Sequence, residues 1–180
     1  MNATHAIPVV GFAAWSGTGK TTLLRQLIPW FRARGLRVGL IKSSHHDFEI
    51  DVPGKDSYEL RRAGASQVLL ASPRRTALIL EEQRESPPQL SALLARLDTD
   101  RLDLVLVEGL RDVAFPKVEL HRPALGKPLF YPGDPHIIAF ATDRPLAQPV
   151  PVPVLDLNDP AAIGDFVLKH LNIAPRAQPV

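Results

Sequence analysis

Cysteine is absent from the sequence, and so is any long apolar stretch. Without cysteine, the chain can form neither a disulfide nor a zinc or iron–sulfur site with cysteine ligands. Its apolar runs fall short of the roughly 20 residues that a membrane-spanning helix needs, and residues 1–8 lack the basic start and apolar stretch of a secretion signal. We therefore expect a soluble, cytoplasmic protein that has no membrane partner.

The chain also has little excess charge of either sign, with a net charge of +2 at pH 7. Arginines pair at positions 61–62 and 74–75, but no aromatic side chains are interleaved with them to stack on bases. These pairs are better interpreted as solvated faces of a helix and of a turn. The composition therefore argues against nucleic acid as a partner.

At 180 residues, the chain is long enough for a single α/β domain, which we expect to span residues 1–180. An apolar run at residues 7–13 predicts a buried strand. The next segment predicts a helix, because its apolar side chains recur at three- and four-residue spacing: Leu23, Leu24, Leu27, Ile28 and Phe31. A second apolar run at residues 38–41 completes a strand–helix–strand unit, which indicates a parallel sheet.

Strands and helices continue to alternate along the rest of the chain. Two apolar runs, 67–71 and 76–80, flank a turn and predict a β-hairpin. Further strands are predicted at 102–107, 118–120, 137–141 and 152–155, and further helices at 57–63, 89–97 and 159–171. The run at 102–107 is the most strand-like, and we expect it in the centre of the sheet. Residues 122–135 predict a proline- and glycine-rich loop, and residues 172–180 a flexible tail.

Residues 14–21 read A-W-S-G-T-G-K-T and match the phosphate-loop pattern G-x-x-x-x-G-K-[ST], except for alanine in the first position. The match lies between a predicted strand and a predicted helix, as the mechanism requires, because the N–H groups at a helix start attract phosphate. Gly17 and Gly19 allow the tight turn that points these N–H groups inward. The segment predicts a nucleotide site made of Ser16, Gly17, Thr18, Gly19, Lys20, Thr21 and Thr22.

Within this segment, three side chains have distinct expected roles. Lys20 would reach the β- and γ-phosphates, the Thr21 hydroxyl would be a ligand of Mg²⁺, and Thr22 would contact the α-phosphate. Together with the parallel strands, the motif predicts a three-layer P-loop NTPase fold, in which helices flank a mostly parallel central sheet and the hairpin is an extra element.

Glu108 follows the apolar run at 102–107 and would emerge at the carboxyl edge of the sheet, where ligands bind in such folds. There it could hold Mg²⁺ directly or through water, or orient a water beside the γ-phosphate, so Lys20 and Glu108 are the candidate catalytic residues. A loop or helix-capping carboxylate is the alternative interpretation of Glu108.

The loop after the second strand emerges at the same edge and is rich in polar side chains, including Lys42, His45, His46 and Asp47. These residues could sense the γ-phosphate or bind a second ligand, or they could form an ordinary polar loop. Asp56, just beyond this loop, is either a further member of the group or a simple helix N-cap.

Asp143 follows the predicted strand at 137–141 and would also lie at the carboxyl edge. A carboxylate there can accept two hydrogen bonds from guanine N1 and N2, whereas adenine offers no such pair of donors on that edge. Asp143 is therefore the candidate guanine reader, with a turn aspartate as the alternative.

The sequence resembles the molybdopterin-guanine dinucleotide biosynthesis adaptor family, MobB. The resemblance rests on four stretches: residues 12–22, residues 39–42 with 45–47, residues 53–60, and residues 102–109. It implies a dimeric protein that binds GTP and Mg²⁺, hydrolyses GTP slowly, and assists the guanylyltransferase MobA in attaching GMP to molybdopterin. Molybdopterin itself and other enzymes of molybdenum cofactor synthesis are further possible partners. Ser43 and Ser44 depart from the family pattern, which has histidine and threonine there.

Two other functions remain open at this point. An ATP-dependent small-molecule kinase would use the same phosphate loop, although Arg111 and Arg122 are poorly placed for the helical lid that such enzymes carry. A pure binding adaptor would use GTP without needing its hydrolysis. Whether the chain acts as an enzyme is thus undecided by the sequence.

Overall fold

A computed structural model describes residues 7–44, 48–82, 86–146 and 148–176. The chain divides into two compact units. The larger unit comprises Met1–Ser43 and Pro88–Val180, and the smaller unit is Ser44–Pro87. Within the described residues, no helix is both long and apolar enough to cross a bilayer.

The larger unit contains six strands and three α-helices among its described residues. In chain order these are β1 (Val9–Ala13), α1 (Lys20–Arg32), β2 (Val38–Lys42), then, after the smaller unit, α3 (Leu90–Leu94), β5 (Leu104–Glu108), β6 (Lys117–His121), β7 (Ile137–Thr142), β8 (Val154–Asp156) and α4 (Pro160–His170). The smaller unit contributes α2 (Asp56–Arg62), β3 (Gln67–Ser72) and β4 (Arg75–Leu80).

The six strands form one sheet in the order β2-β5-β1-β6-β7-β8, and every neighbouring pair is parallel. The predicted parallel sheet is therefore confirmed. The expectation that residues 102–107 form the central strand is wrong, because β1 and β6 lie in the middle and β5 lies between β1 and β2. β5 is nevertheless flanked on both sides, which explains its unbroken apolar sequence.

Apolar side chains cover both faces of the sheet. On one face, α1 and α4 pack on the strands through a cluster that includes Leu27, Phe31, Ile163 and Val167. On the other, α3 contributes Leu90 and Leu94 to a second cluster with alternate residues of β1 and β5. Successive residues of β1 enter opposite clusters, as the two-residue repeat of a strand requires. The result is the predicted three-layer arrangement.

The segment after α4 differs from the flexible tail that the sequence predicted. The backbone N–H of Arg176 donates to the carbonyl of Arg34 at 2.9 Å, and its guanidinium lies 2.7 Å from the carboxylate of Asp103. Asp103 also accepts hydrogen bonds from Arg37. Residues 172–176 are thus held against other parts of the larger unit by charge and backbone contacts that the local sequence does not reveal, and 177–180 lie outside the described residues.

In the smaller unit, β3 and β4 form the predicted antiparallel hairpin. Its two faces differ, because Val68 and Ile79 are partly buried while the cross-strand pair Leu69 and Leu78 is 65% and 52% exposed. Arg61 of α2 joins two other segments of this unit through 2.6 Å ion pairs with Glu49 and Glu81. Hydrogen bonds from Arg61 to these two carboxylates raise the pKa of its guanidinium group.

Candidate nucleotide-binding site

The phosphate-loop segment lies at the carboxyl edge of the sheet, in its middle. β1 ends at Ala13 between its neighbours β5 and β6, and α1 begins at Lys20. Thr18 is 2% exposed, and its hydroxyl donates to the carbonyl of Trp15 at 2.9 Å, which holds the loop in shape. Ser16, Gly17, Thr21 and Thr22 are exposed to solvent.

The backbone of this loop leaves the start of α1 open to an anion. Gly17 and Gly19 have φ angles of 83° and 102°, which side chains other than glycine rarely adopt. Gly19 is the N-cap of α1, no side chain caps the helix, and its first turn contains no acidic residue. The first N–H groups of α1 therefore keep their positive partial charge for a ligand.

Three predicted site residues come together beside the loop. Glu108 is the register partner of Lys42 on neighbouring strands, and the Nζ atom of Lys42 lies 3.9 Å from its carboxylate. The Nζ atom of Lys20 lies 4.0 Å from the other oxygen of Glu108 and 3.5 Å from the carbonyl of Ala14. One carboxylate thus lies between two lysines at the place where phosphate charge would arrive.

The turn after Glu108 has an unusual backbone. Gly109 has a φ of 100°, and Leu110 next to it has a φ of 51° although it is buried. A side chain on Gly109 would lie 2.5 Å from the carbonyl oxygen of Ser43. The backbone N–H of Ser43 donates to the carbonyl of Glu108 at 2.8 Å, so the ends of β2 and β5 are tied together at this point.

Asp143 lies at the end of β7 and is paired with Arg122, which follows β6. The Nη1 atom of Arg122 donates to Asp143 Oδ2 at 2.6 Å, and its Nε atom donates to the carbonyl oxygen of Thr18 at 2.8 Å. Sequence reasoning considered Arg122 only as a lid residue and missed this position. The available signal was its place two residues after the predicted strand 118–120, because Glu108 and Asp143 had also been selected for lying just beyond predicted strands.

A cleft of about 200 Å³ opens beside the phosphate loop. It is bounded by the first turns of α1, by Arg122 and by the turn that leads into α4, with the lining residues Gly19, Thr22, Leu23, Gln26, Arg122, Leu157, Asn158 and Pro160. Its contact with Gly19 and Thr22 makes it continuous with the predicted phosphate site. The cleft offers room for the part of a nucleotide that extends beyond its phosphates.

The family model of MobB, described as molybdopterin guanine dinucleotide synthesis protein B, matches residues 9–143. The chain belongs to the MobB family. The molybdopterin-guanine dinucleotide biosynthesis adapter protein of Escherichia coli (strain K12) is 51% identical over 166 residues, which cover 92% of this chain and 94% of that protein. The protein of the same description from Haemophilus influenzae is 43% identical, with 93% and 92% covered.

Solved structures of the MobB family agree with the fold. A crystal structure of molybdopterin-guanine biosynthesis protein B superposes with a TM-score of 0.71 at 25% identity, covering 91% of this chain and 99% of that one. Tetraacyldisaccharide 4'-kinase of Pseudomonas aeruginosa is 37% identical over 100 residues, but these cover only 29% of the kinase. The relatives that match along their whole length therefore do not support the kinase alternative.

The proline-rich segment at 122–135 is anchored in this MobB protein by buried charges on β6. Glu119 accepts hydrogen bonds from the backbone N–H groups of Phe130 and Tyr131 at 2.9 and 2.8 Å, and its burial raises the pKa of its carboxyl group. Lys117 is buried and forms a 3.0 Å ion pair with Asp134. Sequence reasoning identified β6 only as an apolar strand and missed both charges.

The same segment also touches the phosphate loop directly. The ring of Trp15 stacks on Phe130 at 4.9 Å, and its indole N–H donates to the carbonyl of Pro128 at 2.7 Å. Arg111 lies near both rings, 5.5 Å from that of Trp15 and 5.3 Å from that of Phe130. The loop that the sequence predicted at 122–135 is thus held by polar contacts with β6 and by aromatic contacts with the phosphate loop.

Four further candidates were predicted in and just beyond the second-strand loop. His45, His46 and Asp47 lie outside the described residues. Asp56 belongs to the smaller unit, where it is the first residue of α2; the N-cap is Lys55, so the N-cap interpretation of Asp56 is wrong by one position. Within the described residues, no cluster of three or more histidine, aspartate or glutamate side chains is arranged to hold a metal ion.

Proposed function

We propose that this MobB protein is a GTP-binding adapter in the synthesis of molybdopterin guanine dinucleotide. The observation that carries the nucleotide assignment is the phosphate loop itself, with Gly17 and Gly19 at positive φ and an uncapped helix start. The adapter role is supported by the names of the relatives that match along nearly their whole length.

The residues of the loop suit a triphosphate with Mg²⁺. Backbone N–H groups of the phosphate loop and of the first turn of α1 would bind phosphate oxygens, and Lys20 would move from Glu108 to the β- and γ-phosphates. The Thr21 hydroxyl and the Glu108 carboxylate are oxygen donors of the kind that Mg²⁺ prefers. Because phosphates and water complete an octahedral shell, Mg²⁺ needs no cluster of three protein carboxylates here.

Slow hydrolysis of GTP is a further part of the proposal. Glu108 would orient a water molecule for attack on the γ-phosphorus, while the bond to the β-phosphate oxygen breaks and GDP and phosphate are released. Lys20 would stabilise the charge on the transferred group. Lys42, next to Glu108, would sense the same phosphate from β2.

Guanine selectivity is assigned to Asp143. Its Oδ1 atom is buried and has no hydrogen-bond partner among the described residues. A buried oxygen without a partner is costly, which supports a donor supplied by a ligand. An N–H group of guanine is such a donor, whereas adenine presents an acceptor at that edge.

The partners follow from the family. We propose that the protein assists a MobA-type guanylyltransferase in the cytoplasm, with molybdopterin and other enzymes of cofactor synthesis as possible further partners. We also propose a homodimer formed through the hairpin, because the exposed pair Leu69 and Leu78 makes an apolar face in the smaller unit.

Calorimetric titration with GTP and with ATP in the presence of Mg²⁺ tests the nucleotide assignment. We expect GTP to be preferred, Lys20→Ala to abolish binding of both nucleotides, and Asp143→Ala to remove the preference. Lys169→Ala, which removes an exposed lysine at the end of α4, is the matched control and should bind as the wild type does. Preference for ATP would overturn the guanine assignment and favour the kinase alternative.

A reconstituted assay tests the adapter role separately. Formation of molybdopterin guanine dinucleotide by the purified guanylyltransferase, given GTP and molybdopterin, should rise when the wild-type protein is added and not when Lys20→Ala is added. An equal effect of both proteins would mean that nucleotide binding is not used in the assistance. No effect of either protein would contradict the adapter role itself.

A further inference from the structure

Arg122 connects two parts of the site that lie on different strands. Its Nε atom binds the carbonyl oxygen of Thr18 in the phosphate loop, and its Nη1 atom binds Asp143 at the end of β7. A guanidinium is planar and presents its N–H groups in a fixed fork. With two of its nitrogens engaged, the side chain fixes the distance and angle between the Thr18 carbonyl and the Asp143 carboxylate.

The two oxygens of Asp143 have different surroundings. Oδ2 accepts the 2.6 Å hydrogen bond from Arg122, while Oδ1 is buried without a partner among the described residues. An ionised carboxylate can only accept hydrogen bonds, so a partner of Oδ1 must be a donor. With Oδ2 held by Arg122, Oδ1 is the carboxylate oxygen that still lacks a donor among the described residues.

Arg122 also borders the cleft beside the phosphate loop. Among the described residues that line this cleft, Arg122 is the one that carries a charge. Its Nη2 atom approaches Gly19, lying 3.7 Å from the point where a side chain on that glycine would begin. A ligand that fills both the phosphate loop and the cleft would consequently pass beside this guanidinium.

We propose that Arg122 is a positioning residue for guanine selectivity, because it holds Asp143 Oδ2 and the Thr18 carbonyl at once and so aims Oδ1 at the base of a nucleotide seated in the phosphate loop. The inference rests on the proposed function, in which Asp143 reads guanine. It adds that the selectivity depends on a second side chain, which reaches no base atom itself.

The test measures the ratio of the dissociation constants for ATP and GTP, with Mg²⁺, in wild-type protein and in Arg122→Lys. Lysine keeps the positive charge but has a single nitrogen that cannot hold both acceptors in a fixed geometry. The loss of one hydrogen bond to a charged group raises a dissociation constant about tenfold or more. The ratio of the ATP constant to the GTP constant should therefore fall about tenfold. Arg122→Ala should show the same loss.

Two further variants distinguish an effect of Arg122 on Asp143 from an effect on the phosphate loop alone. In the Asp143→Ala background, Arg122→Lys should cause no further change in the ratio, because residues that act as one unit are not additive. Arg144→Ala removes an exposed positive charge next to Asp143 and should keep the wild-type ratio. Circular dichroism and thermal melting of each variant establish that it is folded before its ratio is compared.

Three other results would contradict the inference. If Arg122→Lys weakens GTP and ATP by the same factor, Arg122 only braces the phosphate loop and the inference is wrong. If Arg122→Lys leaves both constants unchanged, the contact with Asp143 has no role in binding. A wild-type protein without any preference for GTP would instead contradict the proposed function, and this inference would fall with it.

Discussion

The carboxylate of Glu119 accepts a 2.8 Å hydrogen bond from the backbone N–H of Tyr131, although Glu119 lies on the inner strand β6 and is 1% exposed. The adjacent N–H group of Phe130 binds the other oxygen. A buried carboxylate is tolerated where both oxygens are hydrogen-bonded. Through this contact, the sheet holds the proline-rich segment that stacks on Trp15 of the phosphate loop.

Replacing Glu119 by glutamine should therefore destabilise the protein. The amide keeps one acceptor oxygen but turns an NH₂ group toward the second backbone N–H, so one hydrogen bond is lost and two donors face each other. We expect the free energy of unfolding, measured by urea denaturation, to fall by about 1–3 kcal/mol. The exposed Glu59→Gln is the control, and equal stability of the two variants would show that the carboxylate does not hold the segment.

The stability should depend on pH through Asp103. Its hydrogen bonds from Arg37 lower the pKa of this carboxyl group, and the charges of Arg176 and Arg37 act in the same direction. A lowered pKa in the folded state means that the stabilisation is complete above the ordinary value of about 4 and is lost as the pH falls through the lowered value. Urea denaturation between pH 7 and pH 3 should show this loss.

Asp103→Asn should remove that part of the pH dependence, since asparagine does not titrate. The variant should also be less stable than the wild type at pH 7, where the ionised carboxylate contacts Arg37 and Arg176. Asp98→Asn, at an exposed aspartate, serves for comparison. A wild-type slope retained in Asp103→Asn would assign the pH dependence to other groups.

Gly109→Ala should be strongly destabilising. Its φ of 100° is unfavourable for alanine by about 1–3 kcal/mol, and the new methyl group would lie 2.5 Å from the Ser43 carbonyl oxygen. Gly133→Ala is a suitable control, because its φ is not positive and nothing lies within 4 Å of the added atom. The melting temperatures of the two variants should be compared. Similar values would show that the turn at Gly109 can relax to accept a side chain.

The proposed homodimer should be sensitive to Leu69→Glu. This side chain is 65% exposed and pairs with Leu78 on the free face of the hairpin, so a charge there would break an apolar contact between copies without entering a core. Light scattering should show half the mass of the wild type.

The control for this experiment is Ser91→Glu, which adds the same charge at an exposed position of α3 and should leave the mass unchanged. Val68→Glu would test the hairpin less clearly than Leu69→Glu. Val68 lies on the opposite, partly buried face, so a charge there would disturb the smaller unit itself. A dimeric Leu69→Glu protein would remove this face from consideration.

Much of the fold and half of the candidate site follow from local sequence. The spacing of apolar residues predicted α1, and the turn residues at 72–75 predicted the hairpin, because hydrophobic periodicity and turn chemistry act over a few neighbouring positions. The phosphate loop was predicted for the same reason: its glycines, Lys20 and Thr21 are consecutive in the chain and their roles depend on one strand–loop–helix unit.

Tertiary structure decided the rest, because it depends on which distant segments become neighbours. Arg122 meets Thr18 across 104 positions of sequence and Asp143 across 21, and neither distance is encoded in a motif. The order of the strands put β5 beside β2 and so brought Lys42 to Glu108. The charges of Lys117 and Glu119 on a buried strand became intelligible only when their partners in the proline-rich segment were in place. The sequence by itself determined a nucleotide loop; long-range packing determined the side chains that surround it.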